Sequence, residues 1–128
     1  MKTFTLIAGA AYGLLSVILG AFGAHALKKV ISVDKLVSFE TGVRYQMYAA
    51  LFLLIVGYIL KFDTSVEKWI SLLMVAGVFL FSVSIYVLSF SEVSTMSFKF
   101  LGPVTPLGGL LMIISWALLI YHFAKNRA

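Results

Sequence analysis

The side chains in this sequence suited to chemistry are few. His25 could accept a proton, with Glu40 or Glu92 setting its charge. Glu40 and Arg44 stand four apart, the spacing at which a helix brings acid and base together. Tyr45, Gln46 and Thr105 add a phenol, an amide and a hydroxyl. A metal would need three or four ligands, and two separated histidines in a chain without cysteine do not supply them. The sequence singles out no Ser-His-Asp arrangement, phosphate loop or carboxylate pair inside an apolar run. No catalytic set, metal or cofactor is expected. The favoured reading is structural: His25 satisfies carbonyls at a helix end, and Glu40 and Arg44 neutralise each other.

The elements that position these groups follow from composition. Of 128 residues, 62% are hydrophobic and 12% charged, and the mean hydropathy is +1.06. A soluble domain is about 45–50% apolar and about 25% charged. So much apolar surface has no interior to hide in at this size. An ordinary soluble globule, a disordered tail and a disulfide scaffold are excluded, and an integral membrane protein remains. A spanning helix needs about 20 apolar residues. The sequence predicts an all-α, single-domain membrane protein (residues 1–128) with helices over about 3–27, 42–60, 69–90 and 106–124. The uncharged core of the second, residues 45–60, reaches only about 24 Å at 1.5 Å per residue. That helix must therefore begin near Gly42 or before, with Arg44 reaching toward the headgroups. Thr105 is placed to cap the fourth helix, with Pro106 in its first turn. Ala24-His25-Ala26 matches a small-x-small cleavage pattern. The preceding apolar run is longer than the about 7–15 residues of a signal peptide, so an uncut helix is expected.

Four spans bring both termini to one side. They also gather His25, Glu40, Arg44, Tyr45, Gln46, Glu92 and Thr105 at a single membrane face. Orientation is undecided by charge, since five basic residues lie on each side: Lys2, Lys61, Lys68, Lys125 and Arg127 against Lys28, Lys29, Lys35, Arg44 and Lys99. The net charge of +5 suits anionic headgroups, and no basic run with interleaved aromatics suggests nucleic acid. Membrane lipids are the expected partners.

Between helices in lipid, small residues that permit close approach replace apolar attraction. Gly9, Gly13, Ser16, Gly20, Gly23 and Ala24 fall within about 100° of arc on the first helix. Packing inside the chain is favoured over a homo-oligomer or another membrane protein as the use of this stripe. The second helix answers with Gly42, Gln46, Ala49, Leu53 and Gly57 within about 80°. On the third, Ser71, Ser82 and Ser89 align beside Tyr86, and such serines mostly bond their own backbone or a neighbouring helix. Gly108-Gly109 permits close approach at the start of the fourth. A faint echo relates Ala8-Gly9, Ser16 and Phe22 to Ala76-Gly77, Ser84 and Phe90.

Three motifs point further. Gly20-Ala21-Phe22-Gly23-Ala24-His25-Ala26-Leu27, then Phe39-Glu40-Thr41-Gly42-Val43-Arg44-Tyr45-Gln46-Met47-Tyr48, then Thr105-Pro106-Leu107-Gly108-Gly109 together resemble one family. It comprises small multi-pass bacterial membrane proteins designated domain of unknown function four-hundred-and-twenty-three. The resemblance covers nearly the whole chain and implies a multi-pass cell-membrane protein, without supplying a reaction. One position departs from the family pattern, which often carries His where Ala49 stands here.

The expected role is thus a four-helix bundle serving as a structural or interaction component of the cell envelope, not an enzyme. The alternative is a small transporter, channel or lipid-handling protein. That alternative requires a groove lined by Gln46, Ser82 and Tyr86.

Overall fold

A computed structural model of the chain describes residues 1–91 and 99–125. Four helices make up the bundle: α1 Lys2–His25, α2 Val33–Ile59, α3 Ser65–Ser89 and α4 Val104–Lys125. All four are long and apolar enough to cross a membrane. Consecutive helices run antiparallel. Lys2 at the start of α1 donates to the Tyr58 carbonyl near the end of α2, and Ser82 late in α3 donates to the Gly42 carbonyl early in α2. Thr105 early in α4 bonds Ser84 late in α3, and Ser115 midway along α4 donates to the Ile70 carbonyl early in α3.

Helix α2 begins nine residues before Gly42, at Val33. Ser32 caps it by accepting from the Lys35 N–H at 3.3 Å, and Asp34 lies in the first turn, where the helix dipole favours an anion. The resulting 27 residues extend about 40 Å, the thickness of the bilayer with its headgroup regions. The shortness of the uncharged stretch is resolved by a polar first third. Helix α3 starts at Ser65 rather than residue 69, because Thr64 and Glu67 form a capping box there. Helix α4 starts at Val104, so Thr105 lies inside the first turn instead of capping it.

Helix α2 is the most enclosed of the four. It packs along α1 on one side and α3 on another, while α4 packs mainly on α3. The main core joins Phe52, Leu53 and Val56 of α2 to Ile70, Met74 and Val78 of α3 and Met112 of α4. A second cluster, around Leu27, Ile31 and Phe39, closes the bundle at the α1–α2 turn. The Phe39 ring lies 5.0 Å from that of Tyr86. The outward faces remain oily: Ile7, Leu14, Val17 and Ile18 on α1 and Ile113, Ile120 and Phe123 on α4 are all exposed. In water such a surface would drive aggregation; hydrocarbon is its natural solvent.

Two glycine crossings set the helix spacing. A Cβ on Gly9 would stand 3.0 Å from the Ala50 carbonyl oxygen, so α1 and α2 nearly touch backbone to backbone. A Cβ on Gly108 would stand 2.4 Å from the Phe81 nitrogen and 2.7 Å from the Gly77 oxygen. Gly77 and Gly108 are thus the point of closest approach of α3 and α4. The rest of the α1 stripe faces α2 inside the same chain. Gly13 faces Ala50, Gly20 faces Val43, and Gly23 seats the Phe39 ring. Ser16 is buried, its hydroxyl bonding back to the Tyr12 carbonyl. From α2, Gly57 receives Leu6 and Thr5. Ala24 departs from the stripe and is exposed. One residue past Gly23 is about 100° round the helix, which carries it off the face that meets Phe39.

Candidate functional site

The polar interior of the bundle centres on Gln46, halfway along α2 and 4% exposed. Its Nε2 donates to the Tyr12 carbonyl of α1 at 3.0 Å, and its Oε1 accepts from the Tyr86 hydroxyl of α3 at 2.6 Å. Tyr12 in turn donates its hydroxyl to the Val75 carbonyl of α3 at 2.8 Å. One amide and two phenols therefore tie three helices together. An amide in hydrocarbon must find both a donor and an acceptor partner, and here each end of the group has one.

Further pairs repeat the principle along the bundle. Thr5 and Ser71 share a buried hydroxyl–hydroxyl bond between α1 and α3. Ser82 donates to the Gly42 carbonyl at 2.8 Å, Ser84 and Thr105 bond across α3 and α4, and Ser115 donates to Ile70 at 2.6 Å. Ser89 bonds back to the Ile85 carbonyl of its own helix. Among the described residues, every buried side-chain nitrogen and oxygen has a partner.

The most heavily bonded side chain is Glu67, in the first turn of α3. One carboxylate oxygen accepts from the N–H groups of Lys61 and Phe62 at 2.9 and 3.1 Å. The other accepts from the N–H groups of Asp63 and Thr64 and from the Thr64 hydroxyl at 3.0–3.2 Å. Four consecutive backbone N–H groups thus wrap one carboxylate. Phe62 adopts φ 59° to allow this, a left-handed conformation unusual for a bulky residue. The charge-assisted bonds offset that strain and fix the α2–α3 connection.

Of the seven residues expected at one face, the six described share no hydrogen bond with one another. Gln46 lies in the interior: it is halfway along α2 and on the stripe that meets α1, bonded to Tyr12 and Tyr86. His25, Glu40, Arg44 and Tyr45 are exposed. Arg44 donates to Thr41 at 3.3 Å, and among the described residues no ion pair joins it to Glu40. Thr105 bonds to Ser84. Glu92 lies outside the described residues. The groove imagined along Gln46, Ser82 and Tyr86 is instead a filled, hydrogen-bonded interior.

Sequence reasoning missed Tyr12 and Glu67. Each carried a signal. A tyrosine in the middle of an apolar helix, away from the interface where its hydroxyl would be wet, requires a buried acceptor. Thr64-x-x-Glu67 is a capping-box spacing.

An open cleft lies elsewhere, between α2 and α4 with α3 as its floor. It has a volume of about 550 Å³ and is walled by Tyr45, Tyr48, Phe81, Met112, Ile113 and Trp116, with Thr41, Ala49, Met74 and Gly109 completing it.

Comparison with known proteins agrees with this picture of a helical membrane protein. The family model described as "Protein of unknown function (DUF423)" matches residues 19–109. The UPF0382 membrane protein YwdK of Bacillus subtilis (strain 168) is 43% identical, covering 98% of each chain. The chain belongs to the DUF423 family. Two further family relatives are the UPF0382 membrane proteins SAB0533 of Staphylococcus aureus (strain bovine RF122 / ET3-1) and SH2409 of Staphylococcus haemolyticus (strain JCSC1435). The first is 42% identical over 94% of this chain and 93% of its own. The second is 40% identical over 98% of each. No solved structure matches this family member. The relatives' names state a membrane location, and the four spans agree: this is a small multi-pass protein of the cell membrane, in contact with lipid.

Proposed function

We propose that the protein is a non-catalytic structural or interaction component of the cell membrane, with both termini on one side of the bilayer. One observation carries this reading: among the described residues the buried polar side chains are all bonded within the protein, and most of them join helix to helix. The Tyr12–Gln46–Tyr86 network is the clearest case. A group occupied in this way is not free to relay a proton or strip an ion of water. The acid–base candidates of the sequence, His25 and Glu40, are exposed, and no hydrogen bond joins them. Such a protein acts through its outer surfaces, toward lipid, a second copy or another membrane protein. The antiparallel order of the four helices supports the placement of the termini.

The test is reconstitution into vesicles. Flux of protons, potassium and chloride is expected to equal that of protein-free vesicles. A protein-dependent flux that Gln46→Leu abolishes would overturn the reading. Single cysteines check the topology, since the chain has none of its own. Asp63→Cys and Lys125→Cys should label from one side with an impermeant thiol reagent, and Lys28→Cys from the other. Labelling of all three from one side would contradict it.

A further inference from the structure

A second cavity neighbours the aromatic cleft along the same three helices. It has a volume of about 420 Å³ and is lined by Lys35 and Ser38 of α2, Ile85, Leu88 and Ser89 of α3, and Gly102, Thr105 and Pro106 at the start of α4. The two succeed each other by one helical turn on all three helices: Ser38 to Thr41, Ile85 to Phe81, and Pro106 to Gly109. Taken together as one lateral trough, they run from a polar mouth to an apolar, aromatic end.

We propose that this trough seats one anionic phospholipid, its phosphate at Lys35 and Ser38 and an acyl chain running past Tyr45 to Trp116. Three features select that occupant. The first is length. From Lys35 to Ala49 the α2 wall extends about 21 Å, which is about half of the 40–45 Å bilayer including headgroups. The trough is one leaflet deep. The second is polarity, which runs in the order a lipid presents it. A cation and hydroxyls come first, then the tyrosine edge, then Met112, Ile113 and Trp116. The third is charge. The lining carries Lys35 and, among the described residues, no carboxylate, while Arg44 is held at the rim by its bond to Thr41. A negatively charged headgroup complements that cation. A second copy docking by this face about a two-fold axis would set Lys35 against Lys35 at the same depth, which is repulsive.

The structure also offers a way to fill the trough without disturbing the helices. A Cβ at Gly109 meets only the Phe81 ring, at an ordinary 3.6 Å, whereas the neighbouring Gly108 has no room. Gly109→Leu therefore projects into the acyl path and spares the α3–α4 crossing.

The test uses the full chain with Trp69→Phe, which leaves Trp116 as the sole tryptophan. The protein is reconstituted with brominated phosphatidylglycerol or brominated phosphatidylcholine, and quenching of Trp116 is titrated. Phosphatidylglycerol should half-quench at about a fivefold lower mole fraction, the ratio one lysine near an anionic headgroup supplies. Lys35→Glu, an accessible change that leaves the core untouched, should erase that preference while phosphatidylcholine quenching persists. Gly109→Leu should weaken quenching by both lipids. Equal quenching by the two lipids, or a preference unchanged in Lys35→Glu, overturns the proposal. So does native mass spectrometry that shows a dimer lost in Gly109→Leu with no retained lipid, which would make a second copy the occupant. Vesicle flux bears only on the structural role proposed above, so the two ideas fail separately.

Discussion

Gly108 and Gly109 are adjacent glycines on one helix, and a single added methyl should have opposite consequences at the two. At Gly108 the new Cβ would meet the Phe81 nitrogen at 2.4 Å, the Gly77 oxygen at 2.7 Å and the Phe81 Cα at 2.9 Å. All three are backbone atoms, so no side chain can swing aside. Restoring an ordinary contact of 3.4 Å from 2.4 Å requires α4 to retreat by about 1 Å. A gap of that size forfeits a quarter to a half of the dispersion well along the contact. Overpacking of this kind costs about 1–3 kcal/mol. The interhelical bonds Ser84–Thr105 and Ser115–Ile70 are stretched as well, each worth about 0.6 kcal/mol in a membrane protein. Gly108→Ala should therefore lose about 2–4 kcal/mol. Gly109→Ala meets only the edge of a ring at 3.6 Å and should be neutral or better, by up to about 1 kcal/mol of helix propensity. The assay is unfolding by sodium dodecyl sulfate in mixed micelles, followed through Trp116 with Trp69→Phe as background. The Trp116 ring lies 4.5 Å from Phe52 of α2, so its emission reports separation of α4. Equal effects of the two substitutions, or a neutral Gly108→Ala, would refute the claim that α3 and α4 cross backbone to backbone at this point.

The other expectations concern the polar bonds. Glu67→Ala leaves the N–H groups of Lys61, Phe62, Asp63 and Thr64 without their acceptor and should cost about 1–3 kcal/mol. Tryptic cleavage after Lys61 in proteoliposomes should accelerate about tenfold, and an unchanged rate would show that the loop does not depend on the carboxylate. Gln46→Leu and Tyr86→Phe, combined in a double-mutant cycle by the same micelle unfolding, should couple by about 0.6–1.7 kcal/mol; zero coupling would mean their bond is not formed in the bilayer. His25→Ala, Glu40→Ala and Arg44→Ala should each shift stability by no more than about 0.5 kcal/mol, as exposed positions do. A larger loss in unfolding midpoint for any of them would point to a contact that exposure does not disclose.

The number of spans, the helical class and the membrane location were legible in the residues, because hydrocarbon imposes length and polarity rules that each segment obeys independently of the others. The small-residue faces were legible for the same reason: a 100° periodicity is local to each helix. Glycine pairs at 108 and 109 announced a close approach, but only the crossing of α3 shows which one is used. The start of α2, expected near Gly42 or before, falls at Val33, because a Ser32-capped polar turn extends the helix beyond what apolar length registers. With that start Gln46 stands halfway along the helix and spends its amide on Tyr12 and Tyr86 inside the bundle. Glu40 and Arg44 have the spacing of an ion pair, yet Arg44 turns to Thr41. Which donors meet which acceptors, and the presence of a trough between α2 and α4, depend on how the four helices are placed around one another. Contacts between residues far apart in the chain have no local periodicity to reveal them, so only the tertiary structure decided them.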